Sequence, residues 1–401
     1  MKELATDLNR SDIRIGVVST FCKNTNGETF LVNLLELQSQ MVKEQHVIAP
    51  TPTLDNPSNI FLYSVDYRIG TNFLSQIWHQ AVAQLQMSYK LIRISNKVDY
   101  WLFFGGDLLL LPMLCAKMKK KKVLSLLGGN LASEIALKKH ILNVPQKILR
   151  RMCLRLTDYI AVYSEILIDK WDLGRYSDKI VAADNHHVDC NMFKISKPFS
   201  QRERKIGYIG RLSAEKGIAN LLQCLPTILS KYNDLKFSIT GDGPMEDQVR
   251  TFIDNHNFGD RLVYFGRVSH DKIANILNDL QLCVLPSYTE GLPNIMLESM
   301  GCGTPVLATP VGAIPDVITD NENGFIIQDN CPETIVNGII RALESPNIFH
   351  ISELAHRTAT DSYNIGCARD RYSKVIATLE SSALKMTSTR GKRSRVNSTG
   401  S

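Results

Sequence analysis

The sequence of 401 residues lacks several features that would assign its class immediately. Its nine cysteines are odd in number and scattered, and no Cys-x-x-Cys pair occurs, which argues against a disulfide framework or a structural zinc site. The N-terminus is polar and has no apolar signal core. The most apolar window, Tyr100–Ala116, is interrupted by glycines and a proline and is shorter than the roughly 20 residues of a membrane span. These absences predict a cytoplasmic chain in a reducing compartment.

Two further absences concern chemistry. No Asp-x-Asp occurs, so the chain has no obvious carboxylate pair for a divalent ion. No Gly-x-Gly-x-x-Gly follows Ile13–Thr20 or Lys205–Ile209, the first predicted strands of the two halves, which argues against an NAD-dependent oxidoreductase. His186 and His187 have no third ligand nearby in the sequence, and we interpret them as hinge residues. We therefore predict no metal and no cofactor.

The composition is that of an ordinary globular protein, with 44% hydrophobic and 21% charged residues. The length exceeds one ordinary core, so two domains are expected. Short, continuous apolar runs alternate with helical patterns, which is typical of parallel strands buried on both faces in doubly wound α/β sheets. The predicted strands are Ile13–Thr20, His46–Ala49, Ile60–Val65, Asp99–Phe104, Val123–Leu127, Tyr159–Tyr163, Lys179–Ala182, Lys205–Ile209, Lys236–Thr240, Leu262–Phe265, Leu282–Pro286, Pro305–Ala308 and Gly324–Ile327.

The alternation breaks once, at a polar stretch without periodicity, and restarts with a strand and a glycine turn. The tail is rich in Ser, Thr and Arg and almost without apolar residues, which predicts disorder. The predicted organisation is an N-terminal Rossmann-like domain at 1–190, a linker at 191–204, a C-terminal Rossmann-like domain at 205–360, a terminal helix at 361–382 that crosses back to the first domain, and a disordered basic tail at 383–401.

In open α/β sheets ligands bind beyond the carboxyl ends of the strands, so the loops of the second half are the first candidates for a site. Gly210, Arg211 and Lys216 follow one strand; the two cations beside a helix start suit a pyrophosphate, although a solvated loop is an equal alternative. The turn Gly241–Pro244 follows the next strand and is more simply a strand-to-helix turn than a ligand site.

The loop after Leu282–Pro286 carries two carboxylates seven residues apart. Glu290 lies in the loop, where it can accept sugar hydroxyls, and Glu298 lies one turn inside the next helix, where it can hold a ribose. The backbone N–H groups around Asn294 and Ile295 would face a phosphate at the helix start. Each residue alone also suits a turn or a helix start, but their combination favours a sugar-nucleotide site.

These motifs resemble a known family. Gly210–Gly217, Gly241–Pro244, Glu290–Glu298 and Gly301–Val306 occur in the order and spacing of the retaining glycosyltransferases of family 4. The resemblance implies the GT-B fold, two facing Rossmann-like doubly wound domains with a cleft between them. It also implies that the donor binds in the C-terminal domain, the acceptor binds in the N-terminal domain, and the reaction needs no metal.

The same resemblance implies roles for individual residues. Arg211, Lys216 and Glu290 would be the catalytic residues: the two cations bind the donor diphosphate, and the carboxylate holds the hydroxyls of the transferred sugar. Glu298 would hold the ribose, and Val268 would lie near the base. The complete predicted donor site is Gly210, Arg211, Lys216, Gly241, Val268, Glu290, Gly291, Leu292, Asn294, Ile295 and Glu298.

The first half matches the family less well. The expected glycine-rich loop after the first strand contains one glycine, so Asn26 and Gly27 are the acceptor-side candidates there. Gly128, Gly129 and Asn130 stand where the family often has a His-Asp pair. Either backbone N–H groups and Asn130 position the reacting sugar, or the chain is catalytically weak. The glycine pair is also consistent with a tight turn.

A basic zone lies in the same half. Residues 117–155 contain eleven Lys or Arg and one acid, Glu134, a composition that suits a membrane surface or a phosphorylated acceptor. Lys147–Leu156 is expected to be an amphipathic helix. It is either a peripheral membrane contact on the inner face of the membrane or, more simply, a domain helix with a solvated basic face.

The sequence thus predicts transfer of a hexose-type sugar from a nucleoside-diphosphate sugar to a hydroxyl acceptor, with retention implied by the family. The acceptor is expected to be a growing or lipid-linked glycan, and no nucleic acid partner is expected. Two alternatives on the same fold stay open. One is a nucleotide-sugar epimerase, whose acid and base residues are not identifiable. The other is a non-catalytic sugar-nucleotide-binding partner protein, against which the intact Arg211, Lys216, Glu290 and Glu298 argue.

Overall fold

Parallel β-sheets organise both halves of the chain in a computed structural model. The described residues fall into two units: the N-terminal unit comprises those up to Leu127, those from 143 to Asn185 and those from Arg369 onward, and the C-terminal unit is His186–Ala368. The structure describes residues 11–20, 26–50, 58–67, 73–105, 108–127, 143–183 and 185–396.

The N-terminal unit contains a seven-stranded sheet in the order β3-β2-β1-β4-β5-β6-β7, and every recorded pairing is parallel. The order reverses between β1 and β4, which is the topological switch of a doubly wound sheet. The strands are β1 (Ser11–Ser19), β2 (Val42–Ala49), β3 (Ile60–Ser64), β4 (Tyr100–Phe104), β5 (Lys122–Leu126), β6 (Tyr159–Val162) and β7 (Ile180–Ala182).

The C-terminal unit contains a six-stranded parallel sheet in the order β10-β9-β8-β11-β12-β13, with its switch between β8 and β11. Numbered within the unit, this is the 3-2-1-4-5-6 order of the Rossmann fold. The strands are β8 (Lys205–Ile209), β9 (Lys236–Thr240), β10 (Leu262–Gly266), β11 (Leu282–Leu285), β12 (Val306–Ala308) and β13 (Phe325–Ile326).

Helices connect successive strands, as parallel pairing requires. In the described part of the chain each is too short or too polar to cross a membrane. The helices are α1 (Asn26–Ser39), α2 (Phe73–Ile94), α3 (Leu110–Met118), α4 (Asn143–Leu156), α5 (Ile166–Lys170), α6 (Ile218–Lys231), α7 (Glu246–His256), α8 (His270–Asp279), α9 (Asn294–Gly301), α10 (Pro332–Leu343), α11 (Ile348–Ser362) and α12 (Ile365–Val396).

Each strand predicted from the sequence is present, with ends that differ by a few residues at most. The prediction holds because central parallel strands are buried on both faces and therefore appear as continuous apolar runs. β4 is fully buried along its length, and β11 likewise. On each sheet the helices contribute one apolar row to the core; Leu221, Leu225 and Ile228 of α6 do so in the C-terminal unit.

The predicted linker at 191–204 is instead part of the C-terminal unit. Asn278 of α8 accepts hydrogen bonds from the backbone N–H groups of Ser196 and Lys197 at 2.8 and 3.2 Å, and Phe193 is buried. The segment lacks regular periodicity because short backbone turns and hydrogen bonds to the Asn278 side chain hold it, instead of an α-helix or a strand, so its composition alone suggests a linker.

Arg202 anchors the same segment. Its side chain is buried, and its guanidinium donates hydrogen bonds to Leu280 O (2.8 Å), Cys302 O (2.6 Å) and Thr304 Oγ1 (2.6 Å). Burial lowers the pKa of Arg202 to about 10, so the group remains charged at neutral pH. One guanidinium thereby satisfies carbonyl oxygens at the end of α8 and after α9.

The terminal helix also differs from its prediction. Helical backbone continues from Ile365 to Val396, whereas a disordered tail was predicted from residue 383. Residues from Arg369 onward belong to the N-terminal unit, where Gln38 donates a hydrogen bond to the buried Tyr372 hydroxyl. The tail sequence has too few apolar residues to form a packed face. Its Lys, Arg and Met residues nevertheless have good helix propensity, so an established helix can extend through them.

We expect Arg202→Met to lower the free energy of unfolding by about 3 kcal/mol or more, because several buried carbonyl oxygens lose their donors. Chemical denaturation followed by circular dichroism measures the loss. The control is Arg204→Met, whose ion pair with Asp234 (3.2 Å) is partly exposed; it should cost about 1 kcal/mol or less. Equal losses in the two variants would contradict the anchoring role.

Candidate functional site

The loops that follow β8, β9 and β10 are joined by backbone hydrogen bonds at the carboxyl edge of the C-terminal sheet. Gly210 N–H donates to Thr240 O at 3.0 Å, and Gly241 N–H donates to Gly266 O at 2.8 Å. Val268 lies two residues beyond Gly266 and is partly buried. The predicted donor residues of these three loops are therefore held side by side, as the parallel sheet order requires.

Two of the glycines permit this close approach. At Gly241, where φ is +134°, a Cβ atom would lie 1.9 Å from Gly210 O. At Gly217, where φ is +73°, it would lie 2.0 Å from Pro286 O, across the β8–β11 switch. A side chain at either position would push the loops apart, so the backbone geometry at this edge depends on glycine.

An ion pair spans the switch point. Lys216 Nζ donates to both carboxylate oxygens of Glu290, at 2.6 and 2.7 Å. Ser287 Oγ donates to Glu290 Oε1 at 2.7 Å. The carboxylate side chain is 8% exposed and the lysine side chain 21%. The two predicted catalytic residues thus form one charge-assisted cluster that is largely removed from water.

The backbone around Glu290 is held from the opposite side. Thr309 Oγ1 donates to Ser287 O at 2.6 Å, and Ala313 N–H donates to Gly291 O at 2.8 Å. At Gly312, where φ is +60°, a Cβ atom would lie 2.4 Å from Glu290 O, so this loop too packs directly on its neighbour. Glu290 is consequently fixed in both backbone and side chain.

Arg211 remains accessible at the same edge. Its side chain is 56% exposed, and its nearest recorded acid, Glu215, is 4.0 Å away. The buried Tyr208 hydroxyl donates to Arg211 O at 2.7 Å and fixes its backbone, while burial raises the pKa of Tyr208 well above its ordinary value. A solvent-facing guanidinium on a fixed backbone is suited to bind an incoming anion.

Helix α9 begins beside the ion pair, where Leu292 is buried and Asn294 and Ile295 are partly buried. No side chain in the described structure caps this N-terminus. Its first-turn N–H groups and the positive end of the helix dipole therefore favour an anion there. Glu298 lies one turn inside the helix, as predicted from its spacing, and it is mostly buried.

Glu298 has a partner that the sequence did not reveal. His270, the first residue of α8, makes a 2.8 Å hydrogen bond through Nε2 to Glu298 Oε1. This hydrogen bond raises the pKa of His270 above its ordinary 6.5, against the opposing effect of burial, with further support from the charges of Asp271 and Asp189. The carboxylate predicted to hold a ribose is thus oriented by a titratable group.

The eleven predicted donor residues lie on the segments that follow β8, β9, β10 and β11, at one edge of the C-terminal sheet, with Asn294, Ile295 and Glu298 inside α9. The side chains of the acceptor-side candidates, by contrast, are not among the described residues. Asn26 and Gly27 begin α1 in the N-terminal unit, and their side chains lie outside the described residues. Gly128, Gly129 and Asn130 also lie outside them.

Two site residues were missed. Ser287 lies three positions before Glu290 in the same loop, and His270 lies two positions after Val268. Their positions in candidate loops were the available signal, but a single Ser or His in a loop has many ordinary roles. Within the described ranges, no cluster of three or more His, Cys, Asp or Glu has metal-binding geometry.

We expect nuclear magnetic resonance titration to give His270 a midpoint above 6.5 that falls in Glu298→Gln, because the variant removes the negative partner. Since the folded pKa is raised, the charged pair stabilises the fold fully below the unfolded pKa, and this contribution is lost as pH rises through the folded pKa. Thermal denaturation should therefore separate wild type from Glu298→Gln more at about pH 5.5 than at about pH 9. An unchanged midpoint in the variant would refute the coupling.

The fold matches solved structures. Sucrose-phosphate synthase from Thermosynechococcus elongatus aligns with a TM-score of 0.75 at 15% identity, over 92% of this chain and all of that one. Anabaena HepE, solved in complex with UDP-glucose, aligns with a TM-score of 0.73 at 15% identity, over 91% of this chain and all of that one. These likenesses establish the fold alone, and the predicted GT-B class is confirmed.

Sequence comparison identifies the C-terminal part. Residues 192–364 match the family described as glycosyl transferases group 1. An uncharacterised glycosyltransferase of Methanocaldococcus jannaschii is 30% identical over 151 residues, which is 38% of this chain and 38% of that relative. The match thus spans less than half of the relative's length. Residues 192–364, within the C-terminal unit, are therefore similar to the glycosyl transferases group 1 family, and the chain has the GT-B fold.

Proposed function

We propose that this chain is a retaining glycosyltransferase that moves a hexose-type sugar from a nucleoside-diphosphate sugar to a hydroxyl acceptor. The observation that supports it best is the cluster of Lys216, Glu290 and Ser287 at the β8–β11 switch, beside the start of α9. In sheets of this order, that is where nucleotides bind. HepE, which has the same fold, was solved with UDP-glucose.

Different site residues bind different parts of the sugar-nucleotide donor. Arg211 and Lys216 bind the diphosphate together with the first-turn N–H groups at Asn294 and Ile295. Glu290 accepts hydrogen bonds from hydroxyls of the transferred sugar. Glu298 accepts those of the ribose, in place of the hydrogen bond that it now shares with His270. The loop at Val268 lies next to the base.

The same cations stabilise the leaving group. When the glycosidic bond to phosphate breaks, negative charge grows on the departing diphosphate, and fixed positive charge near it lowers the barrier. Arg211, Lys216 and the α9 dipole supply this charge, so we propose that the reaction needs neither metal nor cofactor. Retention follows the same-face course implied by the family resemblance, without a carboxylate nucleophile.

Lys216 connects donor binding to sugar positioning. Its ammonium group has three N–H groups, and it donates hydrogen bonds to both carboxylate oxygens of Glu290. When a diphosphate binds, one N–H group of Lys216 can donate to a phosphate oxygen while another still donates to Glu290. The bound sugar thereby contacts the Glu290 carboxylate, and Lys216, which binds the phosphate of the same donor molecule, already positions that carboxylate.

The acceptor is proposed to be a hydroxyl of a growing or lipid-linked glycan, bound by the N-terminal unit with Asn26, Gly27 and the segment Gly128–Asn130 as candidates. Eight free cysteines in the described residues suit the reducing side of a membrane. We propose a peripheral contact there through the basic region 117–155.

A donor screen tests the proposal directly. The full chain is incubated with UDP-, GDP- and ADP-sugars, and binding is measured by calorimetry and donor hydrolysis by nucleotide release. We expect one nucleotide series to bind and to be hydrolysed slowly without an acceptor. No binding and no turnover with any donor would refute the function, whereas binding without turnover would indicate a sugar-nucleotide-binding protein.

We expect Glu290→Gln and Lys216→Met to lower the rate of nucleotide release by about 100-fold to 1,000-fold, because each removes a charge that acts on the reacting groups. Lys216→Met should also weaken nucleotide binding, whereas Glu290→Gln should leave the affinity for the nucleoside diphosphate nearly unchanged. The matched controls are Glu344→Gln and Lys231→Met, from an exposed ion pair at 3.8 Å. Wild-type rates in both site variants, with circular dichroism unchanged, would contradict the assignment.

A further inference from the structure

Helix α2 is apolar on two sides. One row, which includes Ala83, Met87 and Leu91, is buried against the sheet of the N-terminal unit. A second row recurs at intervals of three or four residues and faces solvent. Its members are Trp78, Ala81, Leu85, Tyr89 and Ile92, with Trp78 67%, Leu85 60% and Tyr89 61% exposed. Such a row is unusual, because a surface helix normally turns charged or polar residues to water.

The two neighbouring helices extend this exposed apolar surface. α3 packs against α2, and Leu111 N–H donates to Gln84 Oε1 at 3.2 Å. Leu111, Leu114 and Met118 of α3 are exposed at helical spacing, and Met118 is 71% exposed. α4 packs against α3. It adds Ile148 and Met152.

Charge of one sign surrounds these side chains. The sequences of α2, α3 and α4 contain no Asp or Glu. The exposed cations of the three helices and of the turn after α3 are Arg93, Lys119, Lys120, Lys147, Arg151 and Arg155. We call the exposed residues of α2, α3 and α4, with this turn, the docking face.

The cations of the predicted basic region 117–155 differ in whether they pair with an acid. Lys117 and Lys122 both pair with Asp158, at 2.8 and 3.1 Å, so they neutralise an internal carboxylate. Lys147 and Arg151, by contrast, point to solvent from α4 beside Ile148 and Met152. Positive charge is therefore retained where the apolar side chains are exposed.

We propose that the docking face binds the surface of a bilayer that contains anionic lipids. A lipid surface accepts both features at once: apolar and aromatic side chains enter the boundary between headgroups and acyl chains, while Lys and Arg contact anionic headgroups. A second copy of this chain would bring like charges together without an acid on these helices to pair with them. The complementarity therefore favours a lipid surface.

The membrane contact proposed above therefore extends to α2. The contact is no longer the basic region 117–155 alone, because Trp78, Leu85, Tyr89 and Ile92 of α2 are among the large apolar side chains exposed on the docking face. It rests on the proposed function only for the idea of an acceptor at a membrane. Vesicle binding needs no donor, and donor hydrolysis needs no vesicle, so either can fail without the other.

Co-sedimentation tests the binding. The full chain is mixed with vesicles of phosphatidylcholine alone or of phosphatidylcholine with phosphatidylglycerol. Binding is measured at about 50 mM and about 500 mM salt, because the higher concentration shortens the range of electrostatic interactions about threefold. We expect binding to the anionic vesicles at low salt, about tenfold or more weaker binding at high salt, and little binding to neutral vesicles.

Variants test the electrostatic and the apolar contributions to vesicle binding separately. Lys147→Glu with Arg151→Glu should weaken binding about tenfold or more, and Trp78→Asp with Leu85→Asp should abolish it. The controls are Arg175→Glu, an exposed cation of the same unit outside the docking face, and Phe349→Asp, an exposed aromatic residue of the C-terminal unit. Both controls should bind like wild type, and all variants should keep wild-type circular dichroism and donor hydrolysis.

Tryptophan fluorescence locates the contact. Trp101 and Trp171 are buried, at 0% and 2% exposure, so Trp78 is the tryptophan that meets solvent. We expect a blue shift on adding anionic vesicles and quenching by brominated acyl chains. Trp78→Phe should still bind and should lose the fluorescence change.

Four results would overturn the proposal. These are no binding to anionic vesicles at low salt, equal binding to neutral vesicles, equal loss in the control variants, and a dimer in analytical ultracentrifugation that Trp78→Asp with Leu85→Asp dissociates. The last would identify the docking face as an interface between copies of the chain.

Discussion

Lys216 and Glu290 are 74 residues apart in the chain, and they meet because β8 and β11 are neighbours in the sheet. Parallel pairing forces every loop after a strand to leave from the same edge, and the reversal of strand order at this point opens a gap between two diverging loops. The other parts of the candidate site depend on that arrangement. The loops after β9 and β10 continue it by backbone hydrogen bonds, and α9 begins at its border.

The ion pair also explains how the site can be both ordered and ready for a ligand. A largely buried carboxylate is costly unless paired and hydrogen-bonded, and here Lys216 and Ser287 satisfy both requirements. A cation in this position remains attractive to a further anion, because its solvent-facing side is not neutralised at short range. Under the proposed function, the diphosphate would enter with little reorganisation, which is the condition for electrostatic stabilisation of a leaving group.

The strands, and the positions of the candidate donor residues at the sheet edge, could be predicted because their signals are local. A central parallel strand is a continuous apolar run, and a residue that follows it directly must lie at the sheet edge. Ser287 and His270 could not be assigned from the sequence, since their roles depend on which carboxylate lies within hydrogen-bond distance after folding. The segment 191–204 was misjudged for the same reason: the polar partners of Arg202 and Asn278 are distant in the chain, so its composition resembles that of a linker.

The two-sided helix α2 shows a further limit of periodicity. Apolar rows on opposite sides of a helix indicate burial on both sides, yet only one row of α2 lies against the sheet. The outer row needs an apolar environment that also tolerates cations at its border, because α2, α3 and α4 lack acids to pair with Arg93, Lys147 and Arg151. A protein partner would need a dense, complementary set of carboxylates around an apolar centre. A bilayer boundary with anionic headgroups has both properties without any specific fit, which is why these helices suit a lipid surface better than a folded partner.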